Sequence, residues 1–557
     1  MKAHYEAILK QTEKSFEQLA ASFVTDESSF NHGGFLSYTE GLAHPGSATS
    51  SLVTLVPLYF NKDSKYYRDE KLYDMIIKVL DYITRVQRPD GTFDLLTTNF
   101  YSSPDAGFLT QSMAHAYWVA EKCGGHDEES ERIKARLFGI IKKAGYGMVT
   151  GGFHTPNHRW VIAAALMMAY NITGEKPFEE MANRYLNEGI DCDEYGEYTE
   201  KSAGIYNSVN DNALIILSEE MNREDLLEHV KRNLDMMFTY VEPDWSLFTY
   251  NSTRQDKGEG NSNQVFYPTA YYHLYLYMAY KLKNKEYAYM ADYIFKNSVI
   301  WSAGYPGVLY LYMLKDELKE FESEMLPFND NYHVYYRNSG IIRARKGDAT
   351  YSILKDSSNF LFFQKGSLKC RIKLCASFFA KAQFKAQEIM ETRNGYRLTF
   401  NTQGFYWMPF EEAPLTSDWR KMDHGKRQRV NVLDLVFNVY IEEYEKGLEV
   451  SFTAEGCDRV PVKVEFRFSP PCMVHGETFA LQGEPGQSIV AKSGYVHVRK
   501  GIDTVTIGPA FANHTYATGM RGSEPQSKSG YTIYFTDFTP VNRKFRIELF
   551  GKNDIIK

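Results

Sequence analysis

Helix starts recur at fairly regular intervals along the first 320 or so residues of this chain. Most of them carry proline in the first turn, where its missing N–H group costs nothing. They lie near Pro45, Pro104, Pro156, Tyr206, Pro268 and Pro306. More polar, amphipathic helices are predicted ahead of the first start and between the others, around residues 4–22, 67–88, 128–144, 176–189, 222–240 and 285–299. The repeat therefore predicts about twelve helices in six pairs.

Six helical hairpins of this length predict a closed α/α toroid. Apolar helices such as Val161 to Tyr170 (VIAAALMMAY) are expected to form its inner ring, and the more polar helices its outer ring. An open solenoid is the alternative. Closure is favoured because the repeat number and the polar loops fit it, and because no capping repeat is evident.

The rest of the chain is dense in alternating polar and apolar residues, which is typical of antiparallel β structure. Strands are predicted at residues 334–345, 351–363, 430–440, 448–453 and 462–468, with turn signals such as Asn394-Gly395. The pattern changes near residues 320–332. We therefore expect an α+β multidomain protein, with an (α/α)6 toroid in residues 1–325 and an antiparallel β-sandwich in residues 326–557.

Composition excludes some classes of function. The net charge is −7 and the isoelectric point is near 6.1, so nothing predicts binding to nucleic acid or to an anionic membrane surface. Aromatic residues make up 15% of the chain and suit the apolar faces of sugar rings. The first ten residues show no export signal, no apolar run is long enough to span a bilayer, and the six cysteines lack CxxC spacing, so a cytoplasmic location is expected.

The inner helices of such a toroid begin on one rim, so their first residues converge on one cavity. The third inner helix is entered through residues 154–160 (HTPNHRW), with Thr155 as the expected N-cap. The second is entered through Ser102-Ser103-Pro104-Asp105, which has the same pattern. A helix N-terminus presents free N–H groups and the positive end of a dipole, so Asn157 and Arg159 are expected to bind a carboxylate.

Two further loops bring polar residues to the same rim. One precedes the fourth inner helix and the other precedes the fifth. Their candidate site residues are Glu197, Glu200 and Tyr206 in the first loop and Arg254 and Asp256 in the second. The alternatives are a core position for the tyrosine and solvated surface charges for the other four residues.

Two histidines at the start of the third inner helix invite a metal interpretation. His154 and His158 are four residues apart. Such a pair binds a metal when both side chains share one helix face, and Pro156 places His154 outside the helix. No metal ligands are therefore predicted here. For Asp105 and Thr155, simple helix capping is the alternative to a functional role.

These segments resemble those of the heparinase II/III-like polysaccharide lyases. Asn157-His158 is similar to the Asn-containing helix start that neutralises the substrate carboxylate in those enzymes. Residues 197–206 (EYTEKSAGIY) are similar to their Glu-x-Ser-x-x-Tyr region, whose tyrosine serves as acid or base. The resemblance implies an α/α toroid with an antiparallel β-sandwich, and cleavage of uronate-containing glycans by β-elimination.

The chain departs from this family at one place. The lyases commonly carry a His-Gly-His-Ala-Asp type segment early in the β-domain, whereas the corresponding residues 375–384 (CASFFAKAQF) contain no histidine. His424, in Asp423-His424-Gly425, lies later in the chain and is the candidate replacement. The second catalytic histidine, and the structural divalent metal that some members hold in the β-domain, are left open.

For β-elimination the demanding step is removal of the C5 proton beside an ionised carboxylate. We expect Asn157 and Arg159 to pair with that carboxylate, and His158 or Tyr206 to take the proton. Tyr206 would then return a proton to the departing oxygen. Further substrate contacts are predicted for His154, Trp160, Asp105, Glu197, Glu200, Arg254 and Asp256. This chemistry requires no cofactor.

Two other functions stay open at this point. The scaffold also resembles glucuronidase-type glycoside hydrolases, which use a pair of carboxylates, and four candidates for that pair are Asp105, Glu197, Glu200 and Asp256. A non-catalytic glycan-binding protein is the third possibility and needs no convergence of His158 with Tyr206. In each case the expected partner is a uronate-containing oligosaccharide or polysaccharide, and a homodimer is left open.

Overall fold

The structure is a computed structural model that describes residues 1–258, 264–300, 306–322 and 324–551. Contacts divide the chain into two compact units. The helical unit consists of Met1–Val241 and Trp245–Phe328, and the β unit consists of Glu242–Asp244 and Asn329–Lys557.

The described part of the helical unit contains twelve α-helices. In chain order they are α1 (Lys2–Ala20), α2 (Pro45–Phe60), α3 (Glu70–Val86), α4 (Ser103–Gly124), α5 (Glu128–Thr150), α6 (Pro156–Thr173), α7 (Lys176–Leu186), α8 (Tyr206–Glu220), α9 (Leu227–Met237), α10 (Tyr272–Leu282), α11 (Lys285–Ile300) and α12 (Leu309–Leu314). A short hairpin of β1 (Phe93–Leu95) and β2 (Asn99–Ser102) precedes α4. Within the described ranges, no helix combines the length and the apolarity needed to cross a bilayer.

The even-numbered helices form the inner ring. Every residue from 160 to 169 of α6 is at most 2% exposed, whereas α3 buries one apolar face, as expected for an outer helix. Helices α2, α4, α6 and α8 pack side by side, and α12 returns to pack against α2 and α4. The Met1 ammonium group donates a hydrogen bond of 2.8 Å to the Phe321 carbonyl, which joins the two ends of the unit. The predicted toroid is confirmed, and it is closed.

The described part of the β unit contains seventeen strands in two sheets. They are β3 (Asn331–Tyr336), β4 (Ile341–Lys346), β5 (Ala349–Leu354), β6 (Leu361–Lys365), β7 (Leu368–Ala376), β8 (Glu388–Glu391), β9 (Gly395–Trp407), β10 (Arg429–Tyr444), β11 (Gly447–Glu455), β12 (Pro461–Phe468), β13 (Cys472–His475), β14 (Ala480–Gly483), β15 (Ser488–Val490), β16 (Val496–Lys500), β17 (Asp503–Gly508), β18 (Tyr531–Phe538) and β19 (Val541–Glu548).

One sheet has the order β14-β13-β16-β17-β19-β11-β10-β9-β8, and the other β15-β18-β12-β7-β6-β5-β4-β3. Described neighbours are antiparallel except β15 and β18, which are parallel. Apolar side chains from both sheets, such as Phe363, Val439, Phe452 and Ile533, share one buried core. The predicted antiparallel β-sandwich is confirmed.

Two segments that were predicted as single strands are hairpins. Residues 334–345 contain the turn between β3 and β4, where Gly340 has a φ of +65°. Residues 351–363 contain the turn between β5 and β6, where Asp356 has a φ of +56°. The prediction of one strand in each segment was wrong because these positive φ angles break an extended backbone.

Candidate active site

The start of α6 places Asn157 beneath the rim of the helical unit. Thr155 occupies the N-cap position, but its side chain caps no helix N–H group. Its Oγ1 instead accepts a hydrogen bond of 3.2 Å from Asn157 Nδ2, and Glu200 Oε2 accepts a second from the same nitrogen at 2.8 Å. Asn157 is 0% exposed, and its Oδ1 has no partner among the described residues. Both N–H groups of the Asn157 amide are therefore used in hydrogen bonds, and its oxygen has no partner among the described residues.

Arg254 joins Glu200 to Tyr206. Its Nε lies 3.2 Å from Glu200 Oε1, and its guanidinium carbon lies 4.8 Å from the centre of the Tyr206 ring. Glu200 is 3% exposed, while Arg254 and Tyr206 are half-buried. Neither the terminal guanidinium nitrogens nor the Tyr206 hydroxyl makes a hydrogen bond with any described residue. A cation and a phenol thus lie side by side with groups free to bind a ligand.

His158 is the candidate base of this cluster, and its ring is uncharged at neutral pH. Burial, followed by the positive charges of His154 and Arg254, lowers its pKa from 6.5 to about 4. The rings of His154 and His158 meet edge to face, with their centres 4.8 Å apart, and His154 is exposed. His158 Nδ1 has no hydrogen-bond partner among the described residues. At neutral pH the ring is therefore unprotonated and able to accept a proton.

Glu200 has a raised pKa. Burial is the largest cause, and it outweighs the hydrogen bond from Asn157 and the charge of Arg254, which both favour the ionised carboxylate. The carboxyl group is thus held between an amide and a guanidinium in a site that resists full ionisation. The contacts of Glu200 with Asn157 and Arg254 fix the positions of these two side chains relative to Tyr206.

The predicted role of Arg159 is wrong. Its Nη1 lies 3.1 Å from Glu188 Oε2 and its Nη2 lies 3.3 Å from Asp191 Oδ1, so its guanidinium group is already occupied. Arg159 is two residues after Asn157, which places its side chain about 200° further round the helix. The cation that the fold brings to the Asn157 and Glu200 pair is Arg254, from a different loop.

Trp160 and Asp105, two other predicted substrate contacts, have structural roles. Trp160 is 0% exposed, and its Nε1 donates a hydrogen bond of 2.7 Å to Asp191, so the expectation that it contacts substrate is wrong. Asp105 lies in the first turn of α4, where its N–H group donates to Ser102 Oγ at 3.2 Å. The Ser102 hydroxyl and Asn99 Nδ2 donate in return to the Asp105 carboxylate. Helix capping accounts for Asp105.

Glu197 belongs to a neighbouring buried cluster. It is 4% exposed, and its Oε2 accepts hydrogen bonds from the Tyr240 hydroxyl at 2.9 Å and from Asn251 Nδ2 at 3.2 Å. Asn251 also donates to the Tyr240 hydroxyl at 2.9 Å. Tyr240 was not predicted as part of the site, because it lies within a segment whose sequence pattern indicates only an amphipathic outer helix.

Solved structures give the fold a wider context, although no family model and no curated protein sequence matches the chain. A xanthan lyase from Paenibacillus matches 100% of this chain with a TM-score of 0.61 at 8% identity, and this chain spans 57% of that protein's length. A chondroitinase AC lyase matches 99% of this chain and is itself covered over 84%, with a TM-score of 0.53 and 10% identity.

A chondroitin AC lyase from Streptomyces coelicolor A3 matches 97% of this chain and is covered over 79%, with a TM-score of 0.53 and 9% identity. The chain has the fold of the polysaccharide lyases. At these identities the likeness establishes the fold and leaves the substrate open. The residue assignments above therefore depend on the geometry of this chain alone.

His424, the histidine that the sequence suggests as a replacement in the β unit, has both ring nitrogens in hydrogen bonds. His424 Nε2 lies 2.8 Å from the Trp419 carbonyl, and Arg427 Nε donates to His424 Nδ1 at 3.1 Å. The ring also stacks on Trp407, with the centres 5.0 Å apart. Neither nitrogen is free to move a proton in this arrangement. Among the described residues, no three His, Cys, Asp or Glu side chains form a group able to hold a metal ion.

Asp256 ties the two rim loops together. Its Oδ1 accepts hydrogen bonds from the hydroxyls of Ser202, at 2.9 Å, and Ser252, at 2.5 Å, and its Oδ2 accepts one of 2.8 Å from the Gly204 N–H group. The side chain is 0% exposed. The expectation that it contacts substrate is wrong, because the side chain is fully buried and both carboxylate oxygens already accept hydrogen bonds.

Replacing Asp256 with Asn should therefore destabilise the protein. The Gly204 N–H group cannot reorient, so an amide in place of the carboxylate leaves a buried donor or acceptor unpaired. We expect the free energy of unfolding to fall by about 1–3 kcal/mol, measured by urea denaturation. Asp74→Asn, at an exposed position of α3, is the matched control and should change it by less than about 0.5 kcal/mol. Equal losses in the two variants would contradict the structural role.

The low pKa of His158 predicts an acid sensitivity. Between pH 6.5 and about 4 the unfolded chain binds a proton at His158 that the folded protein does not, so the free energy of unfolding rises with pH in this window. We expect the wild-type slope to exceed that of His158→Gln by up to about 1.4 kcal/mol per pH unit. Urea denaturation at several pH values measures it, and parallel slopes would show that His158 titrates normally.

Proposed function

We propose that this chain is a lyase that cleaves uronate-containing glycans by β-elimination. The observation that carries the proposal is the convergence on Arg254. Its unpaired guanidinium end lies over the Tyr206 ring, beside the buried Glu200 and near the uncharged His158. A planar guanidinium binds a carboxylate through two parallel hydrogen bonds, so this end of Arg254 is a uronate receptor.

The other groups of the cluster suit the bond changes of the elimination. With the uronate carboxylate on Arg254, charge that develops on it as the C5–H bond breaks is stabilised by the guanidinium. The uncharged His158 ring accepts the C5 proton through Nε2, because Nδ1 is closed off from solvent. As the C4–O4 bond breaks and the C4–C5 double bond forms, the Tyr206 hydroxyl donates its proton to the departing oxygen. Solvent then returns the proton from His158 to Tyr206.

Asn157 is a positioning residue in this mechanism. Because both of its N–H groups are committed to Thr155 and Glu200, it positions the Glu200 carboxyl group, which in turn positions Arg254. The neighbours with this fold include a xanthan lyase and two chondroitin AC lyases, which supports an acidic polysaccharide as the class of substrate.

Product analysis tests the proposal against its alternatives. The protein is incubated with a panel of uronate oligosaccharides, and products are separated and examined by mass spectrometry and ultraviolet absorbance. A lyase gives a new unsaturated uronate without adding water. Release of saturated uronic acid with uptake of water would favour the hydrolase, for which the raised pKa of Glu200 supplies a candidate acid. Binding without any product would favour a glycan-binding protein.

A further inference from the structure

A second cavity lies inside the ring of inner helices. It has a volume of about 230 Å³ and is lined by residues of α4, α6, α8, α10 and α12, most of them in the C-terminal half of these helices. Its outer end includes Glu219, thirteen residues after Tyr206 on α8. At 1.5 Å per residue this places it about 20 Å from the rim that carries Arg254. The nearer end of the cavity includes Asn212, six residues and therefore about 9 Å along α8 from Tyr206, and no lining residue belongs to the Arg254 cluster.

Polar groups in the lining lack partners. The ring nitrogens of His115, the indole N–H group of Trp118 and the hydroxyl of Tyr310 make no hydrogen bond with any described residue. These side chains are half-buried, and they line the cavity with the surface that they keep accessible. These groups are therefore available to a ligand that both donates and accepts hydrogen bonds.

Burial disfavours charged groups in the lining of this cavity. Burial lowers the pKa of His115 to about 3 and that of His273 to about 4, so both rings are uncharged at neutral pH. Lys315 Nζ lies 2.5 Å from Glu219 Oε1, so these two charges neutralise each other. Burial raises the pKa of Glu220, whose carboxylate accepts a hydrogen bond from Asn171. The lining therefore favours an uncharged ligand over a charged one.

Aromatic side chains supply the apolar walls. Tyr277, Tyr310 and Trp118 line the cavity, and the His115 ring stacks on Tyr310 with the centres 4.1 Å apart. The volume equals that of about eight water molecules at roughly 30 Å³ each, which suits one six-membered ring with its substituents. We propose that this cavity binds a single uncharged monosaccharide, whose hydroxyl groups pair with His115, Trp118 and Tyr310 and whose ring faces lie on the aromatic walls.

Calorimetric titration of the full chain with glucose, galactose and mannose in turn tests this site. We expect at least one of these sugars to bind, and Tyr310→Phe to weaken that binding about fivefold, because the variant keeps the ring and loses one hydrogen bond. Tyr312→Phe is the matched control on the same helix. Its hydroxyl bonds to Tyr272, away from the cavity, so it should leave the affinity unchanged.

Competition tests the requirement for an uncharged ligand. The uronic acid and the amino sugar of the same configuration should fail to displace the bound neutral sugar. Arg254→Gln should leave the affinity for the neutral sugar unchanged, which separates this site from the proposed uronate receptor. Absence of binding by all three sugars, equal affinity in Tyr310→Phe, or displacement by the charged analogues would each overturn the proposal.

Discussion

Replacing Tyr206 with Phe is expected to lower kcat on a uronate oligosaccharide by about 10²–10⁴-fold, the usual contribution of a proton-transfer group. The hydroxyl is lost, whereas the ring that lies against Arg254 is kept. KM should therefore change little. Steady-state measurement of the unsaturated product gives both constants.

A tyrosine in the same loop provides the control for this variant. Tyr195→Phe removes a hydroxyl from the loop that leads to α8 without touching the proposed acid, so its kcat should stay close to that of the wild type. If Tyr206→Phe retains wild-type kcat, or if both variants lose activity equally, Tyr206 does not supply the proton.

Replacing Arg254 with Gln is expected to lower kcat/KM by about 10²–10³-fold, because the uronate carboxylate loses its cation in the ground state and in the transition state. Arg159→Gln is the matched control. The Arg159 guanidinium is paired with Glu188 and Asp191, so its loss should leave kcat/KM largely unchanged. A larger loss of kcat/KM in Arg159→Gln than in Arg254→Gln would instead support Arg159 as the residue that binds the carboxylate, as the sequence alone predicts.

The outcome at Arg159 shows why part of the site was beyond sequence analysis. Adjacency in the chain suggested that Asn157 and Arg159 act together, but two residues on a helix point to different sides. Arg254 reaches Glu200 from a loop that is 54 residues further along the chain, and no spacing rule predicts such a contact. Long-range contacts of this kind depend on how the inner helices close into a ring.

The helix starts were predictable for a local reason. Proline fixes φ near −65° and lacks an N–H group, so at Pro45, Pro104 and Pro156 it marks the first turn of α2, α4 and α6. At Pro268 and Pro306 the same residue opens a short 3₁₀ turn that leads into α10 and α12. The cavity lined by His115 and Tyr310 has no comparable signal, because its residues come from five helices and are typical of an apolar interior.

The most direct test of a uronate receptor at Arg254 compares a uronate oligosaccharide with its methyl ester, which keeps the sugar ring and removes the charge. The ratio of kcat/KM for the free acid to that for the ester is measured in the wild type and in Arg254→Gln, which cancels the intrinsic reactivity of the two substrates. We predict that the ratio falls about tenfold to a hundredfold in the variant, the value of a hydrogen-bonded charge pair. An unchanged ratio would contradict the account, because Arg254 would then not bind the carboxylate.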